Sequence, residues 1–393
     1  MSLFIEFHLI QNFAPSNLNR DDTGAPKDAI FGGYRRARIS SQCLKRAVRM
    51  WFKSNSDLST QVLGVRTQHL ERMLGDELRG IGLTRLDFFN ELVMLALKKK
   101  SKKSKAEASE EDGNKVGNKE DDKLLSYLLF VSPSEINEFK KLIVDFSEEI
   151  LILSSKKKID QDQISKELKK AIKECLRKRY AVDIGLFGRM IADLPEANQD
   201  AACQVAHAIS THRVDREFDY FTAVDERRLL EEAGAGMLGQ VEFNSATFYR
   251  YTNINPAKLL ENLQGDRDLL LNGLRAFTLA LARAIPTGKQ NTFGAHNPPS
   301  FIGVVIRHAS PINLANAFET PVYAERGQAL TKPSVVKLAE YDNMLSAVYG
   351  DPRDCWAYLD LSQAWPQDKG DKLNSLTELA DWVAQHIASA QEA

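Results

Sequence analysis

The alternation of apolar and polar positions begins at the fourth residue. In "FIEFHLI", Ile5, Phe7 and Leu9 point one way and Phe4, Glu6 and His8 the other, the period of a half-buried strand. The stretch "APSNLNRDDTGAPKDAIFGG" is dense in Pro, Asn, Asp and Gly, and reads as a long ordered loop anchored by Leu18, Ile30 and Phe31. Beyond Ser40 the period becomes helical. Leu44, Ala47, Val48 and Trp51 share one face, and Gln42, Lys45, Arg46, Arg49 and Lys53 the opposite one, with Ser40 or Ser41 a suitable N-cap. Residues 55–180 carry helical spacing in "TQVLGVRTQHLERMLGDEL", "LTRLDFFNELVMLALKKK" and "QISKELKKAIKECLRKRY". In the last of these, Ile164, Leu168, Ile172 and Leu176 form an apolar stripe, opposed by Lys166, Lys169, Lys170, Lys173 and Arg177.

Beta character returns in "AVDIGLFGRMIAD", "SATFYRYTNIN" and the buried run "PSFIGVVIRHAS". "AACQVAHAISTH" suits a small-residue helix or strand. The span "RVDREFDYFTAVDERRLLEEAGAGMLGQVEF" predicts an extended hairpin, and "LLLNGLRAFTLALARAIPTG" an amphipathic helix that stops at Pro286 and Gly288. Strands interleaved with helices, with more helices inserted, predict an α+β sheet domain carrying insertions.

Composition narrows the chemistry. The chain has 393 residues, 43% of them hydrophobic, enough for a large core in one to three domains. Its net charge of −1 excludes a general polyanion-coating protein, so a nucleic-acid surface has to be local. The basic face of the 41–53 helix holds no acidic partner, which a merely solvated face usually mixes in. The "KKKSKKSKAEASEEDGNKVGNKEDDK" stretch, about 98–123, splits into a basic and an acidic half without periodicity and reads as a flexible surface insertion. Four dispersed cysteines argue against a zinc ribbon or a disulfide scaffold and suit a reducing cytoplasm. The N-terminus lacks the features of a signal peptide, and no apolar run is long enough to span a membrane.

Several chemistries fail on spacing. "PTGKQNT" has the Gly-Lys of a phosphate loop but lacks the earlier glycine, Arg283 standing there, and Gln290 follows the lysine. The seven histidines show no ligand spacing, so neither a metal nor another cofactor is expected. Asp21 and Asp22 are a carboxylate pair of the kind that holds a metal for phosphodiester cleavage, but in "NRDDTG" they equally suit a turn. Tyr220 and Phe221 suit either a core or base stacking. Basic faces, a loop rich in Asn and Arg, and aromatics on a hairpin fit single-stranded nucleic acid better than duplex.

The motifs then identify a resemblance. "PSNLNRDDTGAPKDAIFGGYRRARISSQCLKRA" closely resembles the N-terminal signature of the CasC family, the repeating backbone of the type I-E CRISPR surveillance complex Cascade. "VDIGLFGRM", "AHAISTHRVDREFDYFTAVDE", "VEFNSATFYRYTNIN", "KQNTFGAHNPP" and "LANAFE" follow in the same order, while the 98–123 insertion and the region beyond about 325 depart from the pattern. The resemblance implies a hand-shaped, non-catalytic protein of the cytoplasm. Its palm is a modified RNA-recognition (ferredoxin-like) fold over 1–54, 181–211 and 241–393; its fingers are helical over 55–180, and its thumb is a hairpin over 212–240. Copies stack head to tail along a crRNA guide, kink it at regular intervals and present segments to target DNA, beside other Cascade subunits and a recruited helicase-nuclease.

Carried onto this chain, Asn19, Arg20, Lys27, Ser40, Gln42, Lys45, Arg46 and Arg49 grip guide phosphates and sugars. Arg189 and Met190 lie at a displaced base, with Met190 the apolar wedge, and Phe221, Thr222 and Leu238 complete the kink. Lys166, Lys169, Lys170 and Lys173 touch the target strand. The alternative is an endoribonuclease backbone subunit using Asp21 and Asp22.

Overall fold

The computed structural model describes residues 3–98, 125, 128–156, 158–177, 180–223, 237–325 and 327–392. The chain divides into two compact units. The first comprises Met1–Leu58, Cys203–Leu259 and Arg267–Ala393; the second comprises Ser59–Ala202 and Leu260–Asp266. The strands are β1 (Phe4–Ser16), β2 (Asp28–Phe31), β3 (Tyr34–Ile39), β4 (Val65–Thr67), β5 (Leu129–Val131), β6 (Cys203–Val205), β7 (Ala208–Ser210), β8 (Glu217–Ala223), β9 (Met237–Ile254), β10 (Phe301–Arg307), β11 (Cys355–Asp360) and β12 (Asp371–Lys372).

The first unit is built on a sheet ordered β12-β11-β10-β1-β9-β7-β3-β2, with β6 and β8 also paired to β9. Every pairing in it is antiparallel except β11 with β12. β1 lies at its centre, running beside β10 from Phe4↔Arg307 to Ile10↔Phe301 and beside β9 from Ile5↔Ile254. The expectation of a half-buried strand is corrected here. Phe7 packs edge-on against Phe277 of the helix Arg267–Arg283, while His8 packs on Trp356 of β11, so both faces are covered. Glu6 is fully buried, and polar partners compensate it: Tyr251 Oη donates at 2.8 Å and Arg307 Nε at 2.9 Å.

The long N-terminal loop is shorter than the sequence suggests. Asp28 to Ile39 form the β2–β3 hairpin, with Phe31 opposite Tyr34 and Gly32–Gly33 between them. Both glycines have positive φ (58° and 79°), the geometry of a two-residue turn matched to strand twist. Arg36 on β3 is fully buried; its guanidinium donates to Ser210 O (3.0 Å), Phe318 O (2.7 Å) and Glu319 O (3.2 Å). Part of the basic cluster is therefore scaffolding.

The second unit packs helices Phe88–Leu97, Pro133–Asp145 and Lys166–Cys175 around a core that includes Phe89, Leu92, Phe139, Ile143, Leu168 and Ile172. β4 and β5 pair within it. Val182–Phe187 is a helix, not the strand expected, and the chain re-enters the first unit at Cys203 rather than near 181. Gly185 within it and Gly188 just past its end interrupt an apolar run too short for periodicity to separate the two states. The charged insertion lies outside the described residues except for Lys98. Among the described residues no helix is long and apolar enough to cross a membrane.

Candidate nucleic-acid interface

The loop between β1 and β2 is held open by its own hydrogen bonds. The Asn19 and Lys27 backbones join (Lys27 N to Asn19 O, 2.9 Å), Arg20 bridges to Pro26, and Asp21 N donates to Ala25 O at 2.9 Å. Asp21 Oδ1 accepts from Thr23 N (3.0 Å), Thr23 Oγ1 (2.7 Å) and Ala25 N (3.0 Å). The Thr23 hydrogen bond leads the causes that lower its pKa below the ordinary carboxylate value. The turn role weighed for this aspartate is the one its side chain performs. From below, Asn17 Nδ2 ties the loop to Gly24 O and to Glu242 O on β9.

Loop and helix are then locked together. Helix α1 (Ser41–Asn55) has Ser40 as its N-cap, whose hydroxyl accepts from Cys43 N, and Ser40 N donates to Asn19 Oδ1 at 2.8 Å. Asn19 thus fixes the helix start relative to the loop. α1 buries Leu44, Ala47, Val48, Arg49 and Phe52. Two positions correct the helical-wheel reading. Arg49 is turned inward rather than toward solvent, and Phe52 fills the core place expected of Trp51, which is only half-buried.

On the outer side of this assembly lies a groove of about 680 Å³. Asn19, Arg20 and Asp22 line it from the loop, Arg46, Met50 and Trp51 from α1, and Arg283, Gly288 and His296 from the 283–296 segment. Gly288 is required there, because a Cβ would stand 2.3 Å from Leu18 O. A second cavity of about 310 Å³ joins Arg20, Thr23 and Lys289 to Gln240, Val241 and Glu242 at the base of the β8–β9 hairpin. A narrow crevice places Asn19 and Lys27 beside Arg38.

Of the residues named from the sequence, Asn19, Arg20, Lys27 and Arg46 come together on these surfaces. Gln42 is exposed and Lys45 half-exposed near the start of the same helix. Lys45 lies near enough to the Cys203 thiol to oppose the burial that pushes that thiol up to about 12. Arg283, His296 and Trp51 were missed. They are scattered in sequence and only the fold assembles them, although "KQNTFGAHNPP" had marked the segment.

The hairpin carries exposed aromatics: Phe218, Tyr220 (66% exposed) and Phe221. Phe221 faces Gly239 across the ladder, its ring lying where a Cβ on Gly239 would fall, 2.2 Å from Cζ. Thr222 is exposed and in register with Leu238, whose side chain lies outside the described features. At the root of the hairpin, Arg216 pairs with Asp28 (2.9 Å) and Glu242 (3.1 Å).

Arg189, Met190 and the four lysines belong to the second unit. Arg189 is corrected from a nucleic-acid contact to a positioning residue. It is buried, and its guanidinium donates to Glu135 Oε1 (2.6 Å) and to the carbonyls of Phe130, Leu176 and Ala197. Glu135 also closes the capping box of the helix Pro133–Asp145 with Ser132. Gly188, at φ 75°, lets the chain press against Gln199 and Ala201. With Arg189 pulled inward, the next side chain, Met190, stands 79% exposed. On helix Lys166–Cys175, Lys166 and Lys170 are exposed and Lys169 and Lys173 half-exposed. Among the described residues no cluster of three His, Cys, Asp or Glu is placed to hold a metal ion.

Fold and site together define an α+β protein of two units, with a mostly antiparallel central sheet, a groove in which a loop and a helix gather cations, and an aromatic-bearing hairpin. The chain belongs to the CT1975-like protein family, whose model matches residues 5–384. No curated protein matches it. Among solved structures it resembles a chain of a "CRISPR RNA-guided surveillance complex, pre-nicking" at 30% identity and TM-score 0.81, over 98% of this chain and 99% of that one. A chain of a "CRISPR RNA-guided surveillance complex" aligns at 25% identity and TM-score 0.72, over the same shares.

Proposed function

We propose that this protein is the crRNA-binding backbone subunit of a type I-E, Cascade-like CRISPR surveillance complex in the cytoplasm, a CasC-type subunit with an RNA-recognition-like palm. The observation that carries the reading is the groove between the 17–27 loop and α1, which joins Asn19, Arg20 and Arg46 on a chain similar along its whole length to subunits of RNA-guided complexes. A protein that accepts any guide has to avoid reading bases. Cations on a rigid loop and helix do this, since phosphate contacts fix position without carrying sequence information, while base pairing supplies specificity. Copies stack head to tail along the guide, a heterologous contact that propagates rather than closes. The hairpin with Phe221 and Thr222, together with the exposed Met190, kinks the guide, a flexible thioether unstacking a step without choosing among bases. Lys166, Lys169, Lys170 and Lys173 attract the target DNA strand.

Replacing Lys45 and Arg46 together by alanine is expected to weaken RNA binding equally for unrelated spacers. It should reduce the slope of log affinity against log salt by about 1–1.5, at roughly 0.7 per lost phosphate contact. A spacer-dependent loss would contradict backbone-only recognition. The role is non-catalytic: Asp21 Oδ1 is engaged by three donors of its own loop. Labelled target RNA incubated with the assembled complex and a divalent metal should stay intact, and cleavage abolished by Asp22→Ala would overturn this.

A further inference from the structure

Arg38, which lines the crevice beside the groove, holds a donor that neither the sequence motifs nor the cationic reading assigns. Arg38 lies opposite Ile209 in the β3–β7 pairing, and His207 precedes β7, two residues before Ile209. The two side chains are therefore diagonal neighbours on one face of the sheet. Arg38 is fixed on its strand by Nε donating to Asp28 O at 3.0 Å and by its backbone N–H donating to Lys27 O at 2.9 Å. Its Nη1 then meets His207 Nδ1 at 3.0 Å.

A guanidinium has no acceptor, so Nδ1 must be the acceptor, and the imidazole proton must sit on Nε2. Burial, then the charges of Arg38 and Lys27, hold the His207 pKa below its ordinary value. The ring is thus a neutral N–H donor of fixed tautomer, exposed and bonded to Arg38, which lines a crevice with Asn19 and Lys27.

We infer that His207, oriented by Arg38, is a sugar-contacting residue of the RNA cradle, its Nε2–H donating to a ribose 2′-hydroxyl of the bound strand. The cations on either side take the phosphates. A neutral donor among them matches the neutral hydroxyl that separates RNA from DNA and leaves base identity unread. This assignment rests on the RNA-binding reading above, with Arg38 as a positioning residue that acts through His207.

The test uses the full chain at pH 8, a labelled unstructured single-stranded RNA and its 2′-deoxy counterpart, across a salt series. His207→Ala should weaken RNA binding about 2- to 10-fold, the range for one neutral hydrogen bond. It should leave DNA binding and the RNA salt slope unchanged, so the RNA-over-DNA preference narrows. His207→Gln, which keeps an N–H donor, should restore part of that preference. Arg38→Ala should also narrow it, and should lower the salt slope because a cation is lost as well. Unchanged melting temperatures of the His207 variants confirm folding, since this side chain is exposed. If His207→Ala weakens RNA and DNA equally, or neither, while Lys45→Ala with Arg46→Ala still weakens RNA, the assignment to His207 is overturned and the RNA-binding reading stands. If the Lys45/Arg46 variant also binds RNA as wild type, the reading itself has failed.

Discussion

Charge on an arginine says little until its partners are known. Three arginines of the sequence signatures illustrate three fates: Arg46 lines the groove, Arg36 caps three carbonyls in the core, and Arg189 joins an ion pair with Glu135. All three are cations followed by an apolar residue (Ala37, Ala47 and Met190), so local sequence cannot separate them. What separates them is whether the fold offers carbonyls and a carboxylate nearby. Arg189→Ala is expected to destabilise the second unit by about 3–5 kcal/mol, because Glu135 would be left buried without its counter-charge. Urea unfolding followed by a probe in that unit checks this. A loss below about 1 kcal/mol would mean that the pair is not the anchor described, and that Met190 owes its exposure to something else.

At the scale of elements, long periodic segments were legible and short ones were not. α1 and the helix Lys166–Cys175 bury an apolar stripe against a core that accepts it, while β9 was legible as a strand although Ala246 to Ile254 are buried on both faces. β1 defeated the alternation rule in one respect: Phe277 packs on one of its faces and Trp356 on the other, and Glu6 and His8 are tolerated there because Tyr251, Arg307 and Tyr249 reach them. The β2–β3 hairpin was hidden in an apparent loop, although its Gly-Gly turn is a strong local signal once read as such. The two glycines differ in what they permit. A Cβ on Gly32 would fall 1.8 Å from Glu319 O, whereas Gly33 meets nothing within 4 Å. Gly32→Ala is therefore expected to cost more than the roughly 1–2 kcal/mol of a left-handed residue, while Gly33→Asn is tolerated. Equal thermal shifts for the two variants would contradict the close approach of the hairpin to residue 319.

At the scale of the whole molecule, the near-zero net charge and the local basic groove answer the same need. On the proposed reading, copies packed side by side on one strand would have to confine positive charge to the surface that meets phosphate. The groove was legible in part: Asn19, Arg20, Lys27 and Arg46 were named from the N-terminal signature, and they meet because Asn19 bonds the N-cap of α1. The contribution of Arg283 and His296 was not legible, since the long helix from Arg267 has to return to the loop before they line it. The measurement that tests the central claim most directly is recovery of RNA from the protein after co-expression with a CRISPR array and its companion subunits, followed by sequencing. The account predicts retained guides from every spacer of the array in similar proportion, lost together when Arg20, Lys45 and Arg46 are replaced by alanine. Protein recovered free of RNA, or RNA retained equally by that triple variant, would contradict it.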